Sequence, residues 1–277
     1  MALHWPTFFT RLGSAIVFSA IMMVGLLWNE YAFVVLVALI QVLCLREYFP
    51  LMKKIYPEVY WPSWLPVLIQ VISLGWLLME TPVLNGVHFS KILLFVPILI
   101  LLVTALSKKT ALLAGMISLG GMLYIMLPMI LLYSMRLQSL VIPLSLVLMI
   151  WMNDTMAYLV GSFIGKTPFS AISPKKTWEG TAGGALLTIG GAAIWGYYTP
   201  YYAMIDWMAL AICAAVAGTA GDLLESKLKR LANIKDSGTM MPGHGGALDR
   251  FDSLLVATPF AFVYAYIFMH YLPLTVF

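Results

Sequence analysis

The sequence predicts an all-α bundle that passes repeatedly through a membrane, and three observations predict it. Apolar residues make up 62% of the 277-residue chain, charged residues only 10%, and the mean hydropathy is +0.93. Soluble domains run nearer half apolar and a quarter charged, so this chain lacks the charge to coat a water-facing surface. Nine apolar stretches approach the roughly 20 residues that a helix needs to cross a bilayer. They cover about residues 12–28, 31–49, 64–79, 89–106, 111–135, 140–161, 180–199, 204–223 and 253–273. Finally, lysine and arginine fall almost entirely in alternate loops between these stretches.

The first stretch follows Arg11 and ends in Leu26-Leu27-Trp28, without the small-residue cleavage site of a signal peptide, and reads as a retained span. The second holds Cys44 and the eighth Cys213; both cysteines sit in apolar runs and read as small buried hydrophobes with no redox role. The third is short and flanked by prolines, and Lys108-Lys109 separates the fourth from the fifth. Up to about residue 140 the chain reads as nearly featureless lipid-facing helix. The sixth stretch carries Asp154. The seventh carries Gly183, Gly184, Gly190 and Gly191, which permit close helix packing within the chain or in a homodimer. The eighth runs out into Asp222, and the ninth begins after Asp249 and Asp252. With no internal repeat and no low-complexity tract, the chain reads as one membrane domain over 1–277. Residues 1–140 are mainly structural spans and 150–255 carry the chemistry.

Nine spans put Arg11 and the loops around Arg46, Lys53, Lys54, Lys108, Lys109, Lys166, Lys175, Lys176, Lys227, Lys229, Arg230, Lys235 and Arg250 on one side. Only Lys91 and Arg136 fall on the other. The positive-inside rule makes the basic side cytoplasmic, with the N-terminus in and the C-terminus out. Tyr197, Tyr198, Tyr201 and Tyr202 near the outer ends fit an interfacial aromatic belt. Basic cytoplasmic loops also attract anionic membrane lipids. No basic stretch is interleaved with base-stacking aromatics, so nucleic acid is not an expected partner.

Eight of the twelve acids lie in residues 154–252. Asp154 falls inside an apolar span, where a carboxylate costs at least about 2.5 kcal/mol and usually faces a cavity or a partner. The bland alternative is a hydrogen-bonded residue joining helices with Asn153 and Thr155. Downstream, Ser173-Pro174 reads as the N-cap and first residue of a helix, with Lys175 and Lys176 in its first turn. Lysines there oppose the helix dipole unless an anion sits beside them, although two cytoplasmic lysines could also simply obey the topology rule. Gly161-x3-Gly165-Lys166 is one residue short of a Walker A loop and carries no weight.

At helical spacing Asp222, Glu225, Ser226 and Lys229 share one face. A surface Glu225–Lys229 pair would explain part of this, but Asp222 stands at the membrane boundary, where a hard oxygen-liganded cation is the natural neutraliser. Gly243, Gly245 and Gly246 surround His244 in a loop that is either an anion-binding nest of backbone N–H groups or a flexible turn. Asp249-Arg250-x-Asp252 then leads into the last span, with the two acids on one face if helical.

Together these residues resemble the signature of phosphatidate cytidylyltransferases, also called CDP-diacylglycerol synthases. The likeness runs through Ser226-x-Leu228-Lys229-Arg230, Lys235-Asp236-x-Gly238, Met241-Pro242-x-His244-Gly245-Gly246 and Asp249-Arg250-Phe251-Asp252. Asn153-Asp154-Thr155-x-Ala157-Tyr158 and Ser173-Pro174-Lys175-Lys176-Thr177-x-Glu179-Gly180 are similar to that family as well. Met241 and Ala247 depart from it, standing where a bulkier aliphatic is expected. The resemblance implies transfer of CMP from CTP to phosphatidate with Mg²⁺, at the cytoplasmic face of a bacterial inner membrane. It implies Asp222 and Asp249 as metal ligands, with Asp154 and Glu225 next in line, and Lys175, Lys176 and Arg250 on phosphates. Asp154, Ser173, Lys229, Arg230, Lys235, Gly245 and Gly246 are implied at the substrates, and His244 shapes its loop or contacts substrate. Two rivals use similar parts: a CTP-dependent lipid or polyprenol kinase, and a cation transporter with Asp154, Asp222 and Asp249 along an ion path.

Overall fold

A computed structural model describes residues 5–81, 95–199, 201–240 and 245–270, with side chains from Leu12 onward. Among the described residues there are nine helices: α1 (Trp5–Leu27), α2 (Glu30–Ile55), α3 (Trp64–Met79), α4 (Val96–Ala105), α5 (Ala111–Gln138), α6 (Val141–Ile164), α7 (Trp178–Tyr198), α8 (Met204–Leu231) and α9 (Leu248–Phe268). Each of the nine apolar stretches thus holds a helix, although residues 89–94 of the fourth and 271–273 of the ninth lie outside the described residues. Five helices, α2, α5, α6, α8 and α9, are long and apolar enough to cross a membrane. The all-α expectation holds, with one small addition. Residues Pro168–Ser170 (β1) and Ser173–Thr177 (β2) form an antiparallel hairpin between α6 and α7.

Local chemistry explains several boundaries. Asn29 caps α2 by accepting the Ala32 amide at 2.8 Å, and Glu30 at its start with Lys53 and Lys54 at its end complement the helix dipole. In α5 and α8 the α-helix widens to a π turn, over Met122–Met126 and Cys213–Ala217.

The chain divides into two compact units, Met1–Ser134 with Leu228–Phe251, and Met135–Lys227 with Asp252–Phe277. In the first, Phe33, Val37, Ile40, Leu45, Leu65, Ile69 and Leu77 form a buried apolar core. Two tyrosines tie helices together: the Tyr133 hydroxyl donates to Glu30 at 2.6 Å, and the Tyr48 hydroxyl to the Ile117 carbonyl at 2.9 Å. In the second unit α6 and α7 pack backbone to backbone. A Cβ on Gly184 would lie 2.8 Å from the Ala157 Cβ, and one on Gly180 would lie 2.7 Å from the Ala157 carbonyl. Gly183 and Gly191 likewise face Val160 and Met152 of α6, so these small residues serve contacts within the chain. Asp206 joins the start of α8 to α9, accepting the Ala203 amide at 3.1 Å and the Tyr264 hydroxyl at 3.0 Å.

Candidate active site

The hairpin sets where the two lysines go. Helix α7 starts at Trp178, later than Ser173-Pro174 suggests, and its N-cap is Thr177, whose Oγ1 accepts the Gly180 amide at 3.1 Å. Ser173, Pro174, Lys175 and Lys176 are therefore strand residues, and the dipole conflict read from the sequence does not arise. Competition explains the shift: pairing with β1 takes the backbone of 173–177, and Thr177 supplies a better-placed capping oxygen. Glu179 secures the junction. Its carboxylate accepts the Thr167 hydroxyl at 2.7 Å and the Lys166 and Thr167 amides at 3.1–3.2 Å. Those bonds, the Thr167 hydroxyl foremost, hold its carboxyl down to about 2. Phe169 packs edge-on against Trp178 at 4.5 Å.

Held in this way, Lys175 and Lys176 line one wall of a cavity of about 510 Å³ in the second unit. Asn153, Asp154, Tyr158 and Ser162 of α6 and Thr219 and Asp222 of α8 also line the cavity. Asp154 is exposed to this cavity, as a carboxylate inside an apolar span should be. Lys176 forms an ion pair with Asp222, and the Ser226 hydroxyl donates to Asp222 at 3.3 Å.

Behind that pair lies a carboxylate cluster. Asp222, Glu225 and Asp252 each offer an oxygen, all within 4.8 Å of one another. Glu225 is 0% and Asp252 8% exposed. Gly221 makes the cluster geometrically feasible, because a Cβ there would stand 3.1 Å from the Asp252 carbonyl carbon and hold α9 away from α8. Three carboxylates are thus gathered in a place where buried charge is costly. The donor set is all oxygen, anionic and closely spaced, and it could hold a hard divalent cation.

The first unit contains the other half of the motif. Helix α8 ends in a Schellman turn: Asn233 takes a left-handed φ of 55°, its amide donates to the Arg230 carbonyl at 3.1 Å, and the Ile234 amide reaches the Lys229 carbonyl at 3.0 Å. Beyond it Asp249 is fully engaged. Oδ1 accepts Lys229 Nζ at 2.5 Å; Oδ2 accepts the Ser237 amide at 2.9 Å, the Ser237 hydroxyl at 2.9 Å and the Gly246 amide at 2.7 Å. Gly245 has φ 85°, a conformation that favours glycine. Lys235, Arg230 and Arg250 are exposed, and Arg230 donates to the Ile234 carbonyl at 3.4 Å. His244 lies outside the described residues.

Of the residues expected at the site, the second unit brings together Asp154, Lys175, Lys176, Asp222 and Glu225. Asp249 is placed with Lys229, Ser237 and Gly246 in the first unit. Two residues had been given no role at the site. Asp252, noted in the sequence only as sharing a face with Asp249, completes the carboxylate cluster. Glu47 of α2 accepts hydrogen bonds from the motif loop, and nothing in its local sequence announces that.

A family model described as the cytidylyltransferase family matches residues 9–268. Among curated relatives, the phosphatidate cytidylyltransferase of Bacillus subtilis is 44% identical over 118 residues, covering 41% of this chain and 43% of that protein. The protein of that name from Synechocystis sp. is 42% identical over 118 residues, 42% of this chain and 40% of its own length. The one from Staphylococcus aureus is 35% identical over 173 residues, 61% of this chain and 66% of that protein. The aligned stretches thus span less than two thirds of each of these relatives.

Proposed function

The chain belongs to the cytidylyltransferase family, and on that premise we propose that it transfers CMP from CTP to phosphatidate, giving CDP-diacylglycerol and pyrophosphate. Its relatives carry the name of that activity. The observation that carries the proposal is the cavity of the second unit, where lysines and carboxylates meet at the end of apolar helices. A lipid phosphate and a nucleotide triphosphate need that combination.

In this reaction a phosphatidate oxygen attacks the α-phosphorus of CTP. The bond from that phosphorus to the oxygen leading to the β-phosphorus breaks, and pyrophosphate leaves with the electron pair. The nucleophile is already anionic near neutral pH, so the protein's task is positioning and charge stabilisation. Lys175 and Lys176 hold phosphates in the cavity, while Asp154, which lines the same cavity, orients substrate. Asp222, Glu225 and Asp252 would hold the metal; when bound, Mg²⁺ supplies charge neutralisation for the triphosphate and its leaving group. Asp249, first expected in the metal set, is assigned here to holding its loop together with Lys229. Ser173, Arg230, Lys235, Gly245, Arg250 and His244 keep the phosphate- and substrate-contact roles that the resemblance implies, while Gly246, whose amide is taken by Asp249, is assigned to the loop.

Incubating the purified protein with phosphatidate and CTP labelled at the α or the γ position tests this directly. The lipid is expected to acquire the α label. Lipid carrying only the γ label makes the protein a kinase, and absence of nucleotide turnover with any lipid favours the transporter.

We further propose nine crossings of a bacterial inner membrane, N-terminus in, with the 166–176 loop facing the cytoplasm where CTP is found. The segregation of basic residues supports it. In a background lacking Cys44 and Cys213, Ala171→Cys should stay unlabelled by an impermeant thiol reagent on intact cells and react after permeabilisation. Strong labelling from outside would overturn the orientation.

A further inference from the structure

Glu47 is remote from the motif in sequence, yet its carboxylate is enclosed by it. Oε2 accepts the Ser237 hydroxyl at 2.7 Å and the Leu248 amide at 2.9 Å, and Oε1 accepts the Ala247 amide at 2.8 Å. Leu248 opens the helix that also carries Asp252, so its amide is among the donors that a helix start leaves without an intrahelical acceptor. A carboxylate there gains from those hydrogen bonds and from the positive end of the helix dipole. N-caps normally come from the residue just before the helix; this one is delivered by α2.

Two glycines supply an independent observation. A Cβ on Gly238 would meet Glu47 Cδ at 2.7 Å and Cγ at 3.2 Å, and no other residue is among its nearest neighbours. A Cβ on Gly246 would meet Glu47 Cδ at 2.6 Å, together with the Ser237 hydroxyl. Gly238 does not have a positive φ, so the demand for glycine there is one of space: a side chain would have to push the Glu47 carboxylate out of its hydrogen bonds. These two glycines of the motif are therefore shaped to the Glu47 carboxylate. Ser237 bonds at once toward Glu47 and Asp249 and shares its single proton between the two carboxylates. The segments Ser237–Gly238 and Gly246–Leu248 are thereby fastened to one point on α2.

We infer that Glu47 is a positioning residue for cytidylyl transfer, fixing the motif loop and the first turn of α9 in the shape the reaction needs. The inference rests on the proposed activity for its kinetic readout only. Glu47→Gln keeps the shape but turns one acceptor into a donor that faces donors. Hydrogen exchange on the full chain in detergent should show the Ser237 and Gly246–Leu248 amides exchanging about tenfold faster or more, with α3 and α6 unchanged. Turnover of α-labelled CTP should fall about tenfold or more, since displaced reacting groups carry penalties of that order. Gly238→Ala should do comparable damage in the wild type and add little in a Glu47→Ala background, where the colliding carboxylate is gone. Unchanged exchange at those amides, exchange raised throughout the chain, or full turnover by Glu47→Gln would each overturn the inference, as would additive losses in the Gly238 cycle. A wild type that transfers no CMP, while Glu47→Gln still frees those amides, overturns the proposed activity and leaves the Glu47 tie supported.

Discussion

Asp222→Asn and Asp252→Asn are each expected to lower CMP transfer about a hundredfold or more, the cost of losing roughly 3 kcal/mol of charge stabilisation in a preorganised site. Asparagine preserves shape and removes the charge that recommends these oxygens to a divalent cation. Asp222, Glu225 and Asp252 lie within 4.8 Å and serve one centre, so the double variant should be little worse than either single one. Folding should survive, because removing one of three crowded carboxylates relieves repulsion. The measurement is turnover across a Mg²⁺ titration, with Glu58→Gln as the control in an exposed turn. Near wild-type activity and metal dependence in both variants would place the metal elsewhere, with Asp154 the next residue to test.

Asp249→Ala is expected to act in the opposite way, through stability. Lys229 and Asp249 are 12% and 6% exposed at their side chains. Removing one partner of so enclosed a pair typically costs about 3–5 kcal/mol, because the other charge stays behind without compensation. Asp249→Ala also strips the Ser237 and Gly246 amides of their acceptor. Lys229→Met should cost less, since three donors still surround the Asp249 carboxylate. Combining it with Asp249→Leu should recover part of the loss, as apolar replacements of buried ion pairs often do. Thermal unfolding in detergent checks the series. An Asp249→Ala protein as stable as wild type would show that this pair does not hold the loop.

Helix-scale features were legible in the sequence because length and apolarity are local properties. Every predicted stretch holds a helix, and the acids at the end of α8 and the start of α9 were visible as an anomaly of charge beside membrane. Asp222 and Glu225 emerged from helical spacing alone. The hairpin did not, because Ser173-Pro174 is a good local helix start, and only pairing with β1 and the Thr177 cap override it. Glu47 was invisible for a different reason. Its partners are Ser237, Ala247 and Leu248, and no pattern along the chain links positions so far apart. Gly246 could be read as backbone freedom for a phosphate nest and Gly238 only as a signature position, whereas the structure gives both a steric reason.

The π turn at Cys213–Ala217 makes the chemistry of α8 depend on counting. Such a turn accommodates about one residue more than an α-helical turn. Every side chain beyond it is therefore rotated by about 100° from where an uninterrupted helix would aim it. Helix α8 is written in two reading frames, one burying Trp207 and Leu210, the other presenting Asp222 and Glu225. Deleting a single alanine from Ala214–Ala217 would merge the frames. The helix would remain long and apolar, no site residue would change identity, and the acids would keep the azimuth they have now, whereas closing the π turn without a deletion would swing them about 100° away.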